Sequence, residues 1–255
     1  MITPSLRTEN LTIRFGGHAA VNDVTCAFQP GELTVIVGPN GAGKTTWFNL
    51  VSGQLKPTEG RIFKGWTEIT RMSASTRAKA GIGRAFQLTN LFPKLTVLEN
   101  VRLAVQAKAG QGPSILRKAS SLTELRAKAE RTLEQTRLSS VAHLPASALP
   151  HGDQRKLEVA MLAAMEPDIF MFDEPTAGMS VDEAPVILEL IAEIKKDTRK
   201  TILLVEHKMD VVRALADRIV VLHNGELVAD GKPAEVMALP IVRDIYLGVG
   251  EEEVA

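Results

Sequence analysis

A single cysteine in 255 residues excludes an intrachain disulfide, because Cys26 has no second thiol to join. With only five histidines beside it, the chain also gives little support to a structural zinc site and fits a reducing compartment. Net charge is missing too. Thirty basic residues balance 30 acidic ones, so bulk charge does not invite nucleic acid, and any membrane contact must come from a local surface. Long apolar runs are absent: the opening MITPSLRTENLTIRF has no stretch suited to a signal peptide, and the richest later run, VAMLAAMEPDIFMF, is interrupted by Glu166, Pro167 and Asp168. The expectation is a soluble chain able to sit on a membrane protein, long enough for one large domain or two intimate ones.

What is present is strand and helix in an ordered sequence. Strand-like segments run Leu6 to Phe15, Val21 to Phe28 and Leu33 to Val37, each bounded by Gly, Pro or Asn. A Gly-rich loop and a helix from Gly43 to Val51 follow, then a strand near 60–63, a helix near 73–80 and a strand around 82–87. From Leu91 to about Leu138 the periodicity is helical, as in an inserted helical subdomain. Helices at 151–165, 182–197 and 208–216 then alternate with strands at 168–173, 201–205 and 217–222, which argues for a parallel sheet covered by helices. HNGELVADG reads as a hairpin turning on Asn-Gly, two short helical pieces follow from Pro233 and Pro240, and EEEVA reads as a frayed tail.

GPNGAGKTT, Gly38 to Thr46, is a phosphate-binding loop in the setting such a loop needs, with an apolar strand before it and a helix after it. Its small residues allow successive N–H groups, from about Gly41 through Ala42, Gly43 and Lys44 to Thr45 and Thr46, to converge on a phosphate at the positive end of the helix. Gly38 and Asn40 belong to the same loop. Lys44 is expected to bridge β- and γ-phosphate oxygens, and the Thr45 hydroxyl to meet Mg²⁺. In IFMFDEPTAG an apolar strand runs into Asp173, placed for the metal shell, and Glu174, placed to polarise an attacking water as general base. TILLVEHKMD repeats that layout with His207 at the strand mouth, where its ring can donate to the γ-phosphate.

With these motifs in order, the chain resembles an ATP-binding-cassette (ABC) ATPase over essentially its whole length. RAFQLTNLFPKLTVLENV matches the glutamine loop, LPHGDQR the signature, IFMFDE the second acidic motif, AGMS the dimer-crossing loop, and His207 the switch. The resemblance implies an α/β fold, with a P-loop NTPase (RecA-like) parallel-sheet core, an N-terminal antiparallel β subdomain and an inserted helical subdomain. In one ABC ATPase domain, 1–87 and 166–232 would form the core with the β subdomain, 88–165 the helical subdomain with the signature helix, and 233–255 a C-terminal extension. It also implies Gln87 as a nucleotide and metal contact, and Phe15 stacked on adenine, against the alternative of a core-facing ring. In this family the signature helix of one subunit points at the γ-phosphate held by a second in a head-to-tail homo- or heterodimer.

Here the chain departs from the pattern. Most members have Ser-Gly-Gly-Gln after the signature Leu, whereas this chain has Pro150, His151, Gly152 and Asp153. Pro150 brings neither hydroxyl nor N–H, which leaves the Gly152 N–H and the helix dipole. His151 is a candidate compensating donor, or a ring that points to solvent. Ser180 stands where the dimer-crossing loop normally has Asp. Within the family, FGGHAAVNDV, LPHGDQRKLEVA and PAEVMALPIVRDIYLG look most like ATP-binding and ATP-hydrolysing subunits that power import of branched-chain amino acids or related small polar solutes. This implies permease subunits in the membrane, a periplasmic binding protein indirectly, no nucleic acid, and a peripheral place on the cytoplasmic face of the inner membrane. Leu91, Phe92, Leu95, Val97 and Leu98 are either a docking surface for the permease or plain subdomain core. A lipopolysaccharide-export type of cassette and a soluble, non-transport switch remain as alternatives.

Overall fold

The computed structural model describes residues 3–85, 91–109 and 119–248. Its contacts group into two units, one made from residues 1–82, 168–174 and 195–255, the other from 83–167 and 175–194. The core bounds that the resemblance implies include 175–194; in the structure the contacts of this segment group with the second unit. The reason is local: Arg137 pairs with Glu189 at 2.8 Å, and the segment's start lies against the first residues of the signature helix.

The first unit opens with an antiparallel sheet. β1 (Leu6–Phe15) lies between β2 (His18–Phe28) and β4 (Glu59–Lys64), and the two-residue β5 (Thr67–Glu68), absent from the sequence reading, closes the edge. The second sheet has the order β10-β9-β3-β8-β7-β6, from β3 (Leu33–Val37), β6 (Ile82–Ala85), β7 (Ile169–Asp173), β8 (Thr201–Val205), β9 (Arg218–His223) and β10 (Glu226–Gly231). β3, β7 and β8 are buried at every position, as expected of strands covered on both faces, and they run parallel. The turn from β9 to the antiparallel β10 uses Asn224 and Gly225 at φ 49° and 80°, the left-handed pair of a type I′ hairpin.

Register decides where chemistry can gather. Val205 pairs with Ile36 on one side and with Asp173 on the other, so β3, β7 and β8 end level at one edge of the sheet. The segments after Val37, Asp173 and Val205 therefore emerge side by side, at the carboxyl ends where ligands of parallel sheets bind. Helix α1 (Lys44–Ser52) anchors this edge by burying Trp47, whose ring lies 5.4 Å from Phe28 and 5.9 Å from Phe48. Helix α2 (Ala74–Lys79), capped by Ser73, supplies Arg77, which is 1% exposed. Its guanidinium donates to the carbonyls of Leu50 and Val51 in the last turn of α1, and to those of Thr70 and Met72. Burial pushes its pKa down to about 10. Helices α7 (Met209–Leu215), α8 (Pro233–Ala238) and α9 (Pro240–Gly248) complete this unit.

The second unit packs α3 (Val97–Lys108), α4 (Ala119–Gln135) and α5 (His151–Ala164), with α6 (Ala184–Lys195) contributing through residue 194. Its core is read off helical spacing: Val97, Val101, Ala104 and Val105 meet Leu125, Ala129 and Leu133, and Leu157, Ala160 and Ala164. Thr96 caps α3 by accepting from the Glu99 N–H at 3.1 Å, the start of a capping box. Of the candidate docking residues, Val97 is core and Leu91 and Leu98 pack partly on it, while Phe92 and Leu95 are 50% and 37% exposed. The buried Asn100 fixes that tip with bonds to Phe92 N–H and to the carbonyls of Phe92 and Thr96. Among the described residues no helix is long and apolar enough to cross a membrane.

Candidate functional site

Two glycines make the phosphate loop possible. Gly38 sits at φ 150°, and a β-carbon there would collide with the Leu222 carbonyl oxygen of β9; Gly43 sits at φ 97°, with the Ala20 carbonyl oxygen in the same relation. Backbone, not a movable side chain, occupies both places, so only glycine fits. Gly43 is also the N-cap of α1 and brings no side-chain cap, and the first turn carries no acidic residue. The first amides of α1 have no intrahelical partner, and the positive end of its dipole faces the loop. Asn40 and Gly41 are exposed at the tip, Ala42 is buried, and Thr45 and Thr46 are half-buried.

Lys44 is buried, and its ammonium donates to the carbonyls of Gly38 at 2.6 Å and Pro39 at 2.8 Å. Burial lowers its pKa, while the charges of Glu174 and Asp173 work in the opposite direction. The loop lysine thus lies within the field of both strand-end carboxylates. Asp173, the last residue of β7, is 1% exposed. Glu174 then takes φ +49°, a left-handed conformation costly for a side chain of this kind, and its N–H is held on the Val205 carbonyl at 3.0 Å. That turn separates two neighbouring carboxylates, leaving one inside the strand end and bringing the other to the surface.

Glu174 Oε1 lies 2.7 Å from His207 Nε2. The two side chains, each expected separately at a strand mouth, form a direct pair. Behind them Glu206, 3% exposed, accepts from the backbone N–H groups of His207 and Lys208 at 2.9 and 3.2 Å. This buried carboxylate fixes the turn that carries His207. Phe15 ends β1 with its ring 51% exposed, which rules out the core-facing alternative. Gln87 lies outside the described residues.

In the second unit Pro150 is the N-cap of α5, without a side-chain cap, and His151 is the first helical residue. The His151 ring is exposed and lies over Gly178. Asp153, a candidate nucleotide contact, pairs with Lys156, Oδ1 to Nζ at 2.8 Å. Gly152 is buried, and a β-carbon on it would collide with the carboxylate of Glu183. That carboxylate is held in place: Glu183 Oε2 accepts from both the N–H and the hydroxyl of Ser180 at 3.0 Å.

Comparison with known proteins establishes the family and the fold. The family model of the ABC transporter matches residues 21–177. The chain is 39% identical over 253 residues to the high-affinity branched-chain amino acid transport ATP-binding protein LivG of Escherichia coli K12, covering 97% of this chain and 99% of that one. The corresponding figures for BraF of Pseudomonas aeruginosa, which carries the same description, are 36%, 97% and 99%. The chain belongs to the ABC transporter family. As such a cassette it is an ATPase, and its fold agrees: the ADP conformation of the cassette MJ1267 superposes with a TM-score of 0.80 at 29% identity, covering 97% of this chain and 100% of that one. The dimeric cassette MJ0796 bound to ADP and Pi gives 0.77 at 28%, covering 89% and 98%.

Three side chains of the cassette escaped the reading of its motifs. Glu206 looks like any acid beside a histidine until its carboxylate is seen under the turn. Glu183 had a usable signal, since Ser180-Val181-Asp182-Glu183 before an apolar run is the pattern of a capping box. Arg77 had none, because four backbone carbonyls converging on one guanidinium leave no trace in spacing.

Proposed function

We propose that this cassette hydrolyses ATP with Glu174 as general base and His207 as its partner, powering import of branched-chain amino acids or related small polar solutes. The observation that carries the chemistry is the 2.7 Å Glu174–His207 pair at the sheet edge where the phosphate loop also emerges. Lys44, already an ammonium among carbonyls, exchanges these for β- and γ-phosphate oxygens. Amides from Gly41 to Thr46 bind the phosphates at the α1 terminus. Glu174 takes the proton of the attacking water, and His207 Nε2 orients Glu174 and senses the terminal phosphate. The exposed Phe15 ring stacks on adenine.

Thr45, Asp173 and Gln87 are the proposed Mg²⁺ contacts. Among the described residues no three His, Cys, Asp or Glu side chains converge as a metal cage. This fits a cation that takes a single carboxylate beside a hydroxyl and an amide oxygen and fills its shell with phosphate and water. Bound there, Mg²⁺ would neutralise charge on the β- and γ-oxygens. The amino end of α5, with Gly152 and the His151 ring, meets the terminal phosphate held by a second cassette in a head-to-tail dimer. Phe92 and Leu95 face the permease on the cytoplasmic side of the membrane, and a periplasmic binding protein delivers the solute.

The solute class is supported by the 39% identity to LivG over nearly the full length of both chains. The test is purification of the tagged Glu174→Gln variant in mild detergent with ATP. Recovery of two permease subunits and a second cassette is expected, as is a fall in ATPase rate of roughly 10²–10⁴-fold for the variant complex. Recovery of this chain alone, with no membrane protein, overturns the transport assignment.

A further inference from the structure

A carboxylate of the same chain already lies against the amino end of α5. Pro150 supplies no cap, Asp153 is turned to Lys156, and the space over Gly152 is filled by the Glu183 carboxylate. Ser180 grips that carboxylate with two donors, and the charges of Lys156 and His151 also act on it. Together, with the two Ser180 donors first, they hold the Glu183 carboxyl below its ordinary range. A carboxylate fixed at the positive end of a helix is favourable by itself, and a second anion brought to the same end has to displace it.

We propose that Glu183 is an internal stand-in for the partner's terminal phosphate: it occupies the amino end of α5 in the free chain and must leave before ATP-driven dimer closure. The inference rests on the head-to-tail reading given above and adds an autoinhibitory contact to it. Gly152 then meets two demands, admitting the carboxylate when the chain is open and the phosphate when the dimer is closed. Displacing Glu183 also frees the Ser180 hydroxyl and N–H in the dimer-crossing loop, beside Val181, whose side chain is 89% exposed. Two donors thereby become available to the partner at the moment of closure, next to an apolar side chain that is already exposed.

The experiment titrates ATP into the full-length Glu174→Gln chain and into Glu174→Gln/Glu183→Gln, following dimer formation by light scattering. The glutamine keeps an oxygen for the Ser180 N–H and loses only the charge. Half-maximal dimerisation is expected at about two- to fivefold lower ATP, the range of a charge at a helix end. ADP should still give no dimer, and the nucleotide-free melting temperature should stay within about 2 °C. Glu183→Asp keeps the charge but withdraws it by one methylene, and should lie between the two. An unchanged or raised ATP requirement in Glu183→Gln, while the parent dimerises, overturns the inference alone. Absence of ATP-dependent association in the parent overturns the head-to-tail reading, and this inference with it.

Discussion

Replacing Arg77 by Met removes the clamp that closes the carboxyl end of α1 while keeping a long, flexible side chain in its place. Four carbonyls lose a charged donor, but that of Leu50 also accepts from the Gly53 N–H at 3.2 Å, which leaves Val51, Thr70 and Met72. At about 1.5 kcal/mol for each buried unsatisfied acceptor, these three cost about 4–5 kcal/mol. The variant escapes one expense in return. Burial lowers the Arg77 pKa from 12.5 to about 10, equivalent to about 3 kcal/mol of desolvation that methionine does not suffer. The balance is a net loss of about 1–2 kcal/mol, read as a lower urea midpoint at unchanged slope. Trp47 is a built-in probe, since it is buried in α1 about one turn from the clamp while Trp66 is 81% exposed. ATP affinity should change less than about threefold, because the dipole effect fades within one turn and the phosphates bind at the other end of the helix. A variant as stable as the wild type would refute the reasoning, and so would one that keeps its stability but loses ATP.

Two neighbouring glycines should respond very differently to alanine. Gly38→Ala drives a β-carbon into the backbone of β9 and is expected to abolish nucleotide binding, whereas Gly41→Ala meets nothing within 4 Å and suffers only its φ of 78°, a cost of about 1–2 kcal/mol; nucleotide titration and urea denaturation of the pair measure the contrast. Cys26 offers a pH test. Burial raises its thiol pKa from 9.0 to about 12 against the opposing pull of Arg218, so its contribution to stability is complete below pH 9 and is lost as pH rises from about 9 to about 12. The wild type should lose about 1.4 kcal/mol per pH unit across that window relative to Cys26→Ala, and the folded thiol should resist Ellman's reagent at pH 8.

The parallel sheet was legible because each of its central strands is a short apolar run with a chemically distinctive residue directly after it. β3, β7 and β8 read correctly from composition, and the level of their ends followed from the fold class that alternation implied. The helix near Ser73 was placed to within a residue or two, whereas the start of α3 behind its Thr96 cap was not separated from the helical block read from Leu91 onward. Phe92 and Leu95 were not separable from Val97, because their exposure is decided by Asn100 and not by any period. The site shows the same division. Motifs located Lys44, Asp173, Glu174 and His207 individually; the Glu174–His207 pair joins residues 33 positions apart, and its geometry comes from the left-handed turn at Glu174 and from Glu206 beneath His207. Gly152 shows most clearly why such relations stay hidden. The family pattern accounts for glycine there by a phosphate from another subunit, and nothing in the local sequence adds a second cause. The second cause is a carboxylate in the segment before α6, held by the N–H and hydroxyl of Ser180 where the family pattern has aspartate. An aspartate at 180 would set another negative charge beside Glu183, whereas serine donates to it twice; the departure from the family pattern is what lets Glu183 hold its place over α5.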